Sequence, residues 1–319
     1  MEAEEKHAQR FVRKHALAVP IDIDAAAQKV ARIEYIEFPA DSDADGITLG
    51  PKTATPRIFV NKRKPRSRQI FTVAHEIGHI VIPWHTGNEI TTLDEADTPL
   101  TSYFACEREA NRFASELLMP LNWVKQLLGN ADGKIESVLR EIVETCEVSP
   151  IAAMLRVSAA LPTGYVWAIA NADGYIIKSG RTHGTLVRQA SADGTILIAN
   201  AYSFAVSTEI FSYSRTKYGW WSFVGNIPPN GSDARTWREV LNGILDDLNY
   251  QGAERKRVSS VVSSISGYIL GQRQGGTVAD RYAQVLSRFE QRDELGRVTK
   301  HKDFRTYVYK RVGEFDAQP

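Results

Sequence analysis

The sequence predicts an α+β chain: a mainly helical N-terminal part with a small sheet, followed by a C-terminal part in which strands come first and helices after. Three observations predict it. Between Pro65 and residue 161, apolar residues recur at three- and four-residue spacing, the mark of helices that bury one face. Two short runs before that stretch, "IEYIEF" and "RIFVN", read as strands. At Pro162 the texture changes, and aromatic and β-branched residues dominate residues 164–224 before helical spacing returns at 233. A boundary near 161 divides the chain into domains 1–161 and 162–319.

Taken in order, residues 3–16 place Ala8, Phe11, Val12 and Leu17 at helical spacing. The next helix, 22–31, opens on "DID", and acidic residues suit the positive end of a helix dipole. "IEYIEF" at 33–38 and "RIFVN" at 57–61 are strands, with a brief third at Ile47–Leu49 in the loop between them. Pro65 stands where a helix begins, a position at which its missing N–H costs nothing. The run "SRQIFTVAHEIGHIVI" is then a buried helix ended by Pro83. Residues 86–102 are polar and read as a loop. "CEREANRFASELLMP" belongs to a helix from 104 to 119 that stops at Pro120, and helices follow at 121–128 and 133–145. Ser149 and Pro150 are an N-cap and a first helical residue for "IAAMLRVSAAL". Beyond 161, "GYVWAIA", "GYIIKS", "GTILIANAYSF", "STEIFSYS" and "YGWWSFV" form a small antiparallel sheet, with turns at the two "ADG" triplets. Residues 233–291 are helical, and "HKDFRTYVYKRV" is a last element.

Composition excludes several classes. The net charge of +1 gives no global field toward nucleic acid or an anionic membrane. No run has the length of a transmembrane helix, and the charged N-terminus lacks the apolar core of a signal peptide. Two cysteines are too few for a disulfide framework. The expectation is a cytoplasmic protein in a reducing compartment.

The chemistry lies in "FTVAHEIGHIVIPWH", which holds three of the seven histidines. On a helix His75 and His79 share one face, so both imidazoles can reach one metal ion, and neutral imidazole suits zinc. Glu76, one step around, reaches a water at that ion without being a ligand and is placed to accept its proton. Zinc lowers the pKa of such a water toward about 7. A third ligand is needed. Downstream candidates are His85, Glu89, Asp94, Glu95, Glu107 and Glu109. His85 lies just past Pro83 and reads as surface polarity, and the three acids of the polar loop would orient a ligand poorly. On the following helix Glu107, Asn111 and Ala114 share a face of small residues, whereas Glu109 lies about 200° around from Glu107. Geometry favours Glu107 and leaves the other acids open.

"RQIFTVAHEIGHIVI" followed by "EREANRFASELLMP" resembles the ImmA/IrrE metallopeptidases, and "VSPIAAMLRVSAAL" resembles the helix that follows their catalytic core. The resemblance covers roughly residues 5–161. It implies a zincin-like core in which Zn2+ is bound by His75, His79 and Glu107, with Glu76 as general base. It further implies a zinc endopeptidase that cleaves a separate repressor of the helix-turn-helix type, relieving repression of stress, mobile-element or phage genes. The residues preceding the core are too few for a helix-turn-helix in this chain, so direct nucleic-acid binding is not expected, and neither is a membrane partner.

Other features carry competing expectations. "NKRKPRSR" packs five basic residues into positions 62–68; it could steer an acidic substrate, but such runs are more often solvated loops. Cys106 adjoins Glu107, and an inert thiol is the simpler reading. Tyr218, Trp220, Trp221 and Phe223 read as sheet core rather than a peptide groove. Tyr103 and His85 are candidate donors to the oxyanion of a tetrahedral intermediate. Residues 162–319 show no legible chemistry and are expected to be a recognition or regulatory module. The alternative to an endopeptidase is a zinc-containing sensor or binding protein that sequesters a partner uncut. Glu76 favours the enzyme, because a structural zinc site has no need of it, and three ligands leave a coordination position open.

Overall fold

The computed structural model describes residues 2–86, 100–131, 134–185, 187–190, 194–202, 205–223, 233–271, 278–290 and 292–316. Its contacts divide the chain into two compact units, Met1–Ala160 and Leu161–Pro319. The architecture is α+β.

The first unit begins with helices α1 (Ala3–Lys14) and α2 (Ile23–Ala27). Asp22 caps α2 by accepting the Ala25 N–H at 3.0 Å. The helix is shorter than the expected 22–31. Lys29 and Val30 bond back only three residues, to Ala26 and Ala27, so the last turn tightens and releases the chain into a strand. Strands β1 (Arg32–Ile36), β2 (Gly46–Leu49) and β3 (Arg57–Asn61) form a sheet of order β1-β3-β2, with β3 parallel to β1 and antiparallel to β2. Ile58 and Val60 of central β3 are fully buried, and β2 lies at an edge.

Helix α3 (Arg66–Val81) starts directly after Pro65 and buries Ile70, Val73, Ala74 and Ile77. Helix α4 (Leu100–Leu118) begins four residues before the expected 104. The two helices approach closely because Gly78 faces Ala110 and Phe113: a Cβ at Gly78 would lie 3.3 Å from the Ala110 Cα. Helices α5 (Leu121–Asn130), α6 (Ile135–Cys146) and α7 (Pro150–Ala160) complete the unit. Ser149 caps α7 by accepting the Ala152 N–H at 3.2 Å.

In the second unit β4 (Tyr165–Ala170), β5 (Ile176–Arg181), β6 (Ser207–Tyr213) and β7 (Thr216–Ser222) form an antiparallel sheet of order β5-β4-β7-β6. Trp167 lies opposite Trp220, and Gly180 on β5 leaves the space that the Trp167 ring occupies. Tyr218, Trp220, Trp221 and Phe223 are all buried, so they are core and not a groove. Among the described residues, the segment expected as the strand "GTILIANAYSF" makes an isolated bridge, Tyr175 to Ile196. Leu197 turns inward while Ile196 and Ile198 are exposed, the alternation of a strand, but among the described residues its backbone bonds to other segments reach only Gly174 and Ile176, too short a pairing for a ladder. The first "ADG" turn is present, with Gly174 at φ +94°, a conformation that suits glycine. The second, at 192–194, lies largely outside the described residues.

Helices α8 (Trp237–Asp247), α9 (Gly252–Gly271) and α10 (Val278–Glu290), a 3-10 turn at Asp293–Leu295, and helices α11 (Gly296–Thr299) and α12 (Phe304–Asp316) complete the second unit. They share a core that includes Leu241, Ile244, Val262, Leu286, Phe289 and Tyr307. No helix among the described residues is long and apolar enough to cross a membrane.

Candidate metal centre

Close packing of α3 on α4 brings together the groups that chemistry would need. His75 and His79 stand one turn apart on α3, with their Nε2 atoms 3.0 Å from each other. Glu107 of α4 faces both: its Oε2 is 3.2 Å from His75 Nε2 and its Oε1 is 3.3 Å from His79 Nε2. One ligand atom from each of the three lies within 4.8 Å of the others. Two imidazoles and a carboxylate are a donor set that fits zinc and leaves a fourth tetrahedral position for a water or a substrate. Glu107 feels opposing influences. Burial pushes its carboxyl pKa up, but hydrogen bonds and charge from the two histidines outweigh this and hold it far below the usual range. Burial likewise lowers the His75 pKa, but the hydrogen bond it donates to Glu107, the charges of Glu76 and Glu107, and the Asn111 contact raise it overall.

Each histidine has a partner on its other ring nitrogen. His75 Nδ1 lies 3.1 Å from Asn111 Oδ1; Asn111 is one turn beyond Glu107 on α4. His79 Nδ1 lies 3.1 Å from His85 Nδ1. His85 Nε2 in turn lies 3.0 Å from Glu109 Oε2, and the Trp84 indole N–H donates to the same oxygen at 2.5 Å. Burial lowers the His85 pKa and is the largest influence on it.

Glu76 is only 7% exposed. The Thr48 hydroxyl of β2 donates to its Oε2 at 2.6 Å. Gly46, also on β2, faces the same carboxylate: a Cβ there would run into Thr72 Cγ2 and lie 3.3 Å from Glu76 Oε1. The absence of a side chain at 46 is therefore what lets the strand and helix close around Glu76. Lys52, just past β2, donates from Nζ to the carbonyl oxygens of His79, Ile80 and Ile82 at 3.1, 2.9 and 2.6 Å. The His79 and Ile80 carbonyls lie in the last turn of α3 and Ile82 is its C-cap, so a cation there bonds to the free end of the helix and complements its dipole.

The cluster thus assembles His75, His79 and Glu107, with Glu76 beside it. Glu109 points elsewhere, as its angle around α4 requires. Glu89, Asp94 and Glu95 lie outside the described residues, as does the side chain of Tyr103. His85 requires a correction. Expected as surface polarity or as an oxyanion donor, it is 4% exposed, and both its ring nitrogens are engaged by His79 and Glu109. The chain turns back after Pro83, with the His85 N–H on the Ile82 carbonyl at 3.3 Å, and tucks the ring against His79. The signal for this was Glu109 itself, a carboxylate turned away from the cluster on the same helix and in need of a partner. The basic run 62–68 also finds its partners. Lys62 and Arg63 pair with Glu37, Lys64 and Arg68 with Asp45, and Arg66 with Asp24 and Glu147. Five cations against four carboxylates leave the run largely, though not wholly, compensated.

Residues 31–158 match the peptidase M78 family, described as an IrrE N-terminal-like domain. No curated protein matches the chain. Among solved structures, a Mycobacterium tuberculosis transcriptional regulator is similar over 70% of this chain and 76% of its own, at 11% identity and a TM-score of 0.45.

Proposed function

Because residues 31–158 form a domain of the ImmA/IrrE peptidase family, we propose that the protein is a zinc-dependent endopeptidase. In this reading His75, His79 and Glu107 hold the metal, Glu76 is the general base, and residues 162–319 recognise or regulate the substrate. One observation carries the reading: three ligand atoms converge within 4.8 Å of each other next to a buried glutamate already oriented by a hydrogen bond.

A zinc ion held there would supply Lewis acidity to a scissile carbonyl and acidify a water. The remaining steps belong to this chain. Glu76 takes a proton from the attacking water and delivers it to the departing amine nitrogen. Thr48 fixes one carboxylate oxygen, leaving Oε1 for the proton. Strand β2 lies at the sheet edge and carries Thr48, so an extended peptide that paired with it would run beside Glu76. His75 and His79 must present neutral Nε2 atoms to the metal, and their Nδ1 partners suit that state.

The proposed substrate is a separate helix-turn-helix repressor whose cleavage relieves repression in a stress, mobile-element or phage-related response. The basic run is largely engaged by carboxylates of its own unit, which favours a protein substrate over a nucleic acid. The proposed setting is cytoplasmic. The test is co-expression with helix-turn-helix repressors encoded beside the gene, with zinc content measured in parallel. The expected result is a repressor cut at a defined bond by the zinc-loaded wild type. Repressors that bind tightly yet stay intact with zinc-loaded protein would favour a non-cleaving sensor instead.

A further inference from the structure

We infer that His85 and Glu109 act as a positioning pair that sets the proton of His79, so that His79 offers its Nε2 lone pair to the metal. The inference rests on the zinc reading above. Its basis is the chain of contacts His79 Nδ1 to His85 Nδ1 at 3.1 Å, then His85 Nε2 to Glu109 Oε2 at 3.0 Å.

Two neutral imidazoles facing each other through Nδ1 must share one proton, and it can sit on either ring. If it sits on His85, the His79 proton moves to Nε2, the atom that faces His75 and Glu107, and blocks coordination there. His85 would then turn the lone pair of Nε2 toward a carboxylate oxygen, which repels it. If the shared proton sits on His79, every atom has a complement. His79 Nδ1–H donates to His85 Nδ1, and His85 Nε2–H donates to Glu109. The Glu109 carboxylate, held in place by the Trp84 indole N–H at 2.5 Å, therefore selects the arrangement from two side chains away. Asn111 does for His75 in one contact what His85 and Glu109 do for His79 in two.

The same geometry separates His85 from the ligands. It engages the ring nitrogen of His79 that points away from Glu107, and the convergent group of ligand atoms comprises His75, His79 and Glu107. Its burial also has a cause: an imidazole 4% exposed in a tight turn is tolerable because both nitrogens are satisfied.

The test measures zinc affinity by chelator competition on the full chain, for His85→Ala, Glu109→Ala, the double variant and His85→Gln, with Glu107→Ala alongside. Loss of such an outer partner weakens metal binding by about 10- to 100-fold. The expected result is a loss in that range for each single variant and no further loss in the double variant, because the two act as one unit. His85→Gln, whose amide can accept from His79 and donate to Glu109, should recover most of the affinity. In the metal-free protein, nitrogen NMR should find the His79 proton on Nδ1 in the wild type and largely on Nε2 or exchanging in Glu109→Ala, a change that a packing role would not produce. Glu109 is partly exposed, so Glu109→Ala decides the matter if His85→Ala does not fold. Wild-type zinc affinity and an unmoved His79 proton in Glu109→Ala, with zinc lost from Glu107→Ala, would overturn the inference. Zinc retained at wild-type affinity by Glu107→Ala would overturn the zinc reading instead.

Discussion

Replacing Glu116 with leucine should destabilise the first unit by about 3 kcal/mol. Glu116 lies toward the C-terminal end of α4, nine residues beyond Glu107, and is 2% exposed. Its Oε1 accepts from Gln9 Nε2 at 2.8 Å, and its Oε2 takes the Arg156 guanidinium and the Leu121 N–H. Through these contacts it fixes the end of α4 against α1 and α7. Arg156 is only 5% exposed. Without Glu116 it keeps the Met119 carbonyl at 2.7 Å and Glu5 Oε1 at 3.6 Å. Stranding a buried charge costs about 3–5 kcal/mol, and the remaining contacts place this case at the lower end. The guanidinium, not the lost pair energy, is the source of the cost. Glu116→Leu combined with Arg156→Met should therefore return to within about 1 kcal/mol of wild type. Urea unfolding, with amide exchange in α4 and α7 to report on this unit rather than the other, measures both variants. A loss below about 1 kcal/mol for Glu116→Leu, or a double variant no more stable than the single one, would refute the reasoning.

Three further outcomes are expected. Thr48→Val removes the hydroxyl from Glu76 without altering shape; a hydrogen bond to a charged group contributes about 1.5–3 kcal/mol, so kcat/KM should fall roughly 10- to 100-fold at unchanged zinc content, and an unchanged rate would deny Thr48 its orienting role. Zinc binding should release protons near pH 7, because Glu107 and Glu76 hold the His75 pKa above its ordinary value in the metal-free protein and a ligand must be neutral; affinity then declines as pH falls through the histidine range, and calorimetry in buffers of different ionisation enthalpy showing no proton release would contradict this. Burial pushes the Cys146 thiol up to about 12, so iodoacetamide at pH 8 should label Cys146 only after unfolding, and rapid labelling of the folded protein would show the burial to be misjudged.

Much of this arrangement is legible in the sequence, and its limits have physical causes. Helical periodicity places His75, Glu76 and His79 on α3, and an angle around α4 separates Glu107 from Glu109. Prolines 65 and 83 bracket α3, because a proline belongs at a helix start and cannot continue one. Periodicity is silent on the residues past Pro83, where the backbone leaves the helix, and so His85 is misplaced as surface. Nor does it show pairings across the fold: the basic residues 62–68 find Glu37, Asp45, Asp24 and Glu147 only once β1, β2 and α2 are assembled. Thr48 and Gly46 belong to a four-residue strand that the sequence places at Ile47–Leu49, but nothing local to it shows that these two residues face Glu76. In the second unit the strands with buried aromatics are found, while the run around Ile196 alternates in burial yet pairs at a single bridge, because apolar pattern alone does not supply a neighbouring strand to pair with.

In the proposed mechanism Glu76 performs proton transfer at a metal held by His75, His79 and Glu107. Its most direct test is the cleavage rate of a confirmed protein substrate by wild type and by Glu76→Gln at matched, measured zinc occupancy. The expected result is full zinc content in the variant and a rate lower by at least about 100-fold. Cleavage by the zinc-loaded variant at a rate near wild type would contradict it.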